Sequence, residues 1–130
     1  MIRLVITCLG LILAAGVTAS GAQAAPVRHQ VAILPQVGAI PASYSPATIA
    51  IKVGDTVEWT SQDAEDVHNV VIPSLEHASQ PFGKGESDYE TFLVPGVYSY
   101  YCEPHPGMRG SVQVGTVMSL PVAVKARSGW

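Results

Sequence analysis

Cys102, His105 and Met108 stand at three-residue intervals in the stretch Tyr101-Cys102-Glu103-Pro104-His105-Pro106-Gly107-Met108. A second histidine, His68, lies upstream and is followed by Asn69. A lone cysteine has three ordinary readings: a buried inert thiol, a nucleophile, or a metal thiolate. The neighbours of Cys102 favour the third. One thiolate, two imidazoles and a weak thioether form a trigonal donor set with a long axial contact, which suits copper cycling between its two oxidation states. Zinc more often takes four strong ligands, and a thioether is a poor donor to it. A Cys–His hydrolase fits less well. His105 is held in the same tight turn as Cys102, and no orienting acid or amide is evident beyond Asn69.

These donors need a scaffold that fixes their directions. Short alternating runs between Gly- and Pro-containing turns predict strands at 28–34, 48–53, 56–60, 67–72, 89–94, 97–102 and 110–116. The period of two puts Tyr98, Tyr100 and Cys102 on one face. Pro104, Pro106 and Gly107 then turn the chain and can carry His105 and Met108 back over Cys102. His68, at the start of its own strand, supplies the remaining donor. The segment 73–87 reads as a loop with one helical turn. No run supports a long amphipathic helix. An all-β, two-sheet sandwich with Greek-key connections and about 7–8 strands is expected.

The 130 residues carry 48% hydrophobic and 13% charged side chains, which excludes a disordered chain. A formal charge of −3 disfavours a nucleic-acid partner. Part of the apolar content belongs to the N-terminus. Arg3 precedes an apolar run over 4–17, and Ala22-Gln23-Ala24 fits the small-x-small rule for a cleaved signal, with the cut between Ala24 and Ala25. The run is shorter than the roughly 20 residues of a membrane span, so no stable membrane insertion is expected after cleavage. The expected organisation is a signal peptide at 1–24, a copper-binding domain at 25–116 and an extension at 117–130 that forms an edge strand or a frayed tail. Export leaves Cys102 as the single thiol of the mature chain.

Gly54-Asp55-Thr56-Val57-x-Trp59, His68-Asn69-Val70 and Tyr98-x-Tyr100-x-Cys102-x-Pro104-His105-x-x-Met108-x-Gly110 together resemble the plastocyanin/azurin family of small blue copper proteins, the cupredoxins. The short Cys-x-x-His-x-x-Met loop is similar to that of amicyanins. The resemblance spans 44–116. It departs at Val67, where amicyanin-like sequences usually carry Pro, and at Ser61, where an Asn is common. The resemblance implies one type 1 copper per chain, with His68, Cys102 and His105 equatorial and Met108 axial. It implies that Asn69 steadies the cysteine loop and that its backbone N–H bonds the sulfur.

The function so implied is that of a periplasmic, monomeric one-electron carrier. Redox partners would dock transiently near His105, on the surface of Pro104, Pro106 and Gly107. An amine dehydrogenase would be the donor and a c-type cytochrome the acceptor. The alternative is a copper delivery or storage module without electron transfer. A copper oxidase or nitrite reductase needs further copper sites, which His29 and His77 cannot supply. Those two histidines are expected on the surface without partners. Asp63, Glu65 and Asp66 are expected to form a solvated acidic loop able to steer a basic partner. Trp59 is expected in the core.

Overall fold

The computed structural model describes residues 24–115. The tail at 117–130 and the leader, apart from Ala24, lie outside them. Nine strands run in chain order: β1 Arg28–Leu34, β2 Ser43–Ser45, β3 Thr48–Lys52, β4 Thr56–Ser61, β5 Val71–Ile72, β6 His77–Ala78, β7 Ser87–Thr91, β8 Gly96–Tyr101 and β9 Arg109–Gly115. One sheet has the order β2-β1-β4-β7 and the other β3-β9-β8-β5-β6. Each sheet is mixed. β1 pairs with β4 and β3 with β9 in parallel, while the other neighbours are antiparallel.

The alternation that predicted the strands also explains how the sheets face each other. In β4, Val57, Trp59 and Ser61 are buried while Thr56, Glu58 and Thr60 look outward. In β8, Tyr98 and Tyr100 point inward, and Cys102 keeps that inward setting one residue past the strand end. Val31 and Ile33 of β1, Ile51 of β3, and Val112 and Val114 of β9 complete one shared core. Burying each large apolar side chain of this kind contributes about 1.5–3 kcal/mol.

Tyr100 lies edge-on to Tyr44 and Trp59, with ring centroids 4.8 and 5.2 Å away. It fits because residue 110 has no side chain. A Cβ at Gly110 would collide with the Tyr100 ring and sit 2.7 Å from the Ala47 carbonyl.

The structure departs from the expected strands in three places. The run at 67–72 pairs as a strand only over Val71–Ile72. His68 instead forms a single bridge with Phe82, and Asn69 is tied to β2 by its carbonyl and to the loop after β8 by its side chain. The strand expected at 89–94 is shifted to Ser87–Thr91, because Phe92 turns its amide to Asp55 and its carbonyl to Gly54. The short strands β2 and β6 fall in stretches expected to be irregular. The helical turn expected after position 72 is a 3-10 turn at Pro73–Leu75. Among the described residues no helix is long and apolar enough to cross a membrane.

Candidate metal centre

β8 delivers Cys102 to one end of the sandwich, where it is buried at 3% exposure. The following loop closes on itself. The Met108 amide donates to the His105 carbonyl at 3.0 Å, and the Cys102 amide donates to the Met108 carbonyl at 3.1 Å. Gly107 takes a positive φ of 93°, a conformation that glycine adopts without steric penalty. The loop therefore returns to its starting point, and Met108 is buried beside Cys102 at the base of β9.

His68 enters from the opposite stretch of chain. Its backbone exchanges both hydrogen bonds with Phe82, at 3.0 and 2.8 Å, and its ring is completely buried. His68 Nδ1 lies 3.8 Å from Cys102 Sγ, and His105 Nδ1 lies 3.5 Å from the same sulfur. The three donor atoms fall within 4.8 Å of one another. A first-row ion bound trigonally at about 2.0–2.3 Å separates its donors by about 3.6 Å. The two sulfur–nitrogen distances bracket that value, so the residues fit such an ion. The donor set of one thiolate and two imidazoles, with a methionine close in sequence and in space, matches copper better than zinc.

The supporting groups are equally specific. The Asn69 side chain donates from Nδ2 to Glu103 Oε2 at 2.7 Å and accepts the Glu103 amide at 2.9 Å. It thereby clamps the residue that follows Cys102. Tyr44 donates its hydroxyl to the Asn69 carbonyl at 2.7 Å from within the core. Burial pushes the Tyr44 phenol well above its ordinary pKa, so it stays a donor. The clamp on the cysteine loop is made by both polar atoms of the Asn69 side chain.

Asp63 corrects the reading of an all-solvated acidic loop. It is buried, and its Oδ2 lies 3.0 Å from His68 Nε2. Its Oδ1 accepts the amides of Glu65 and Asp66 at 3.0 and 3.2 Å. The Glu65 amide foremost, then the His68 ring, holds the Asp63 carboxyl below the usual carboxylate range. Glu65 and Asp66 are exposed, as expected of that loop. A carboxylate five residues before a histidine was the only trace of this contact in the sequence.

His29 and His77 also differ from expectation. His29 Nε2 pairs with Asp55 at 2.8 Å, and His77 lies between Asp88 and Glu90 at 2.7 and 2.9 Å. Neither joins the cluster around Cys102. Trp59 is buried in the core, as expected. Pro104, Pro106 and Gly107 are exposed around His105, whose side chain is 25% exposed.

Residues 33–115 match the family of copper-binding proteins described as plastocyanin/azurin. Amicyanin of Paracoccus denitrificans is 43% identical over 75 residues, which cover 55% of this chain and 57% of that protein. The chain thus spans little more than half of that relative. Plastocyanin of Scenedesmus fuscus is 36% identical over 84 residues, covering 55% of this chain and 85% of its own. Among solved structures, a purple cupredoxin from Nitrosopumilus maritimus superposes with a TM-score of 0.56 at 33% identity, covering 67% of this chain and 99% of that one.

Proposed function

The chain belongs to the plastocyanin/azurin family of copper-binding proteins, and from that premise we propose that it is an exported one-electron carrier. The metal would be held by His68, Cys102, His105 and Met108. The observation that carries this reading is the convergence of His68 Nδ1, Cys102 Sγ and His105 Nδ1 from two distant stretches of chain. When bound there, copper would supply a one-electron couple. The protein supplies everything else. Cys102 at the end of β8 and His68, bridged to Phe82, are both buried, so the donors would move little whichever oxidation state they serve. The closed Cys102–Met108 loop and the Asn69–Glu103 clamp add to that rigidity.

His105 is the one imidazole of the cluster that reaches solvent. Its ring sits in a rim of Pro104, Pro106 and Gly107, which offers few polar groups. This rim is the proposed electron port, where a redox partner docks briefly through a small interface. The periplasm is the proposed location. An amine dehydrogenase as donor and a c-type cytochrome as acceptor follow from the amicyanin-like loop.

Adding copper to the purified protein and recording optical and paramagnetic spectra tests the function. An intense blue species that a mild reductant bleaches and an oxidant restores is the expected result. A colourless protein that holds only cuprous ion would instead indicate delivery or storage. Replacing Pro106 by Glu is expected to slow transfer to a partner several-fold while leaving the spectrum intact. Unchanged transfer rates, measured by stopped flow, would remove the port from this rim.

A further inference from the structure

We propose that Asp63 is a positioning residue of the metal centre: its carboxylate sets the tautomer of His68 and opposes charge on the far side of the imidazole. This rests on the copper reading above.

The argument starts from the two oxygens of Asp63. Oδ1 is committed to the amides of Glu65 and Asp66, so the carboxylate cannot rotate freely. Oδ2 is left facing His68 Nε2 at 3.0 Å. An ionised carboxylate only accepts, so Nε2 must carry the ring proton. The lone pair then resides on Nδ1, the nitrogen that faces Cys102 Sγ. The ring is fully buried, so no solvent competes with this contact, and it favours Nδ1 as the nitrogen free to bind a metal.

Charge adds a second reason. Asp63 is buried, and the only ion pair it makes among the described residues is with His68. Two backbone amides and the His68 ring satisfy that carboxylate, which leaves a fixed negative charge directly behind the imidazole. A cation on the opposite face of the imidazole would compensate it. Histidine ligands commonly donate their other ring nitrogen to a carboxylate, and removing that partner typically lowers metal affinity 10–100-fold. His105 lacks such support. Its Nε2 is 3.6 Å from Asp66, too far for a hydrogen bond, and that carboxylate is 66% exposed. The two imidazoles are therefore held very differently.

An Asp63→Asn variant makes the inference sharp. Its carbonyl oxygen would stay on the two backbone amides and turn the NH2 group toward His68 Nε2. A donor would then face that nitrogen and push the proton to Nδ1, the wrong tautomer. Nitrogen-15 NMR of the copper-free full-length protein at mildly alkaline pH reads the tautomer directly. The wild type is expected to show the Nε2–H form and Asp63→Asn the Nδ1–H form. Copper affinity of the variant should fall about 10–100-fold. For both Asp63→Asn and Asp63→Ala the preference for cuprous over cupric ion should rise about tenfold, which for one electron is a potential higher by about 59 mV.

An Nδ1–H imidazole at position 68 in the wild type would overturn the proposal, even if no variant folds. So would a folded Asp63→Asn protein with unaltered tautomer, affinity and potential. If the wild type takes up no copper, the proposed function fails, and the copper-free NMR measurement still decides whether Asp63 sets the tautomer.

Discussion

Two buried aspartates flank β4, and each grips a histidine. Asp55 immediately precedes the strand. Its Oδ1 accepts the Val27 amide at 2.9 Å, and its Oδ2 meets the Lys52 amide at 3.1 Å and His29 Nε2 at 2.8 Å. Asp63 follows the strand and makes the same kind of set: two backbone amides and one imidazole. What differs is the histidine. His29 sits on β1 with its side chain 27% exposed, whereas the His68 side chain is wholly buried with its other nitrogen facing a thiol sulfur. The first pair joins the start of β1, the β3–β4 turn and β4 at one end of the sandwich. The second aims a donor at the other end. An aspartate–histidine pair is therefore not a functional signature in itself. What the second ring nitrogen faces decides its role.

Breaking the metal-end cluster should have the largest effect. Cys102→Ser removes the thiolate that gives a copper site of this kind its colour, and visible absorption on copper addition should vanish. The far end should be untouched, so the Asp55-dependent part of the stability measured by urea unfolding should persist.

Asp55→Ala inverts that pattern. It strands two backbone amides and an imidazole at a mostly buried position, and a loss of about 2–4 kcal/mol is expected. Urea unfolding measures it. The copper spectrum of the folded variant should match the wild type. A changed spectrum would show that the two ends are coupled through β4.

The pH dependence of stability separates the ends further. Burial raises the Asp55 carboxyl, but the Val27 amide, the His29 ring and the Lys52 amide together outweigh it, so the folded pKa lies below its ordinary 3.8. The unfolded state then binds the proton more readily. The stability from Asp55 is complete above the unfolded pKa of about 3.9 and disappears as pH falls through the lower folded value. Unfolding free energies measured in that acid window should decline less steeply for Asp55→Asn than for the wild type. An equal slope would mean that Asp55 is not the group responsible.

His29→Gln should have the smallest effect. It removes one partly exposed partner from a carboxylate that keeps its two amides, and about 1 kcal/mol is expected by the same unfolding assay. The contrast with His68 is then direct, because loss of His68 should abolish the blue site.

Much of this was readable residue by residue. β1 occupies the span its alternation predicted, and Tyr98, Tyr100 and Cys102 share a face as the period of two requires. Local chemistry suffices there, because strand periodicity and the Pro-His-Pro-Gly turn act over a few neighbours. The three-residue β2 and two-residue β6 were missed, since so short a strand is made by its partner and not by its own pattern. Asp63 looked like its acidic neighbours Glu65 and Asp66, because nothing in composition separates a buried carboxylate from an exposed one.

By itself the sequence determined the donors: a thiol, an imidazole and a thioether within one short loop, and a second imidazole upstream. It also determined the alternation that makes strands of the flanking segments, since both properties depend on covalent spacing. Only the tertiary structure decided that His68 meets Cys102, that Asn69 clamps Glu103, and that one aspartate grips the His68 ring while its counterpart closes the opposite end. Those choices depend on which loops the two sheets bring together, and burial at that junction, unlike residue type, is a property of the whole fold.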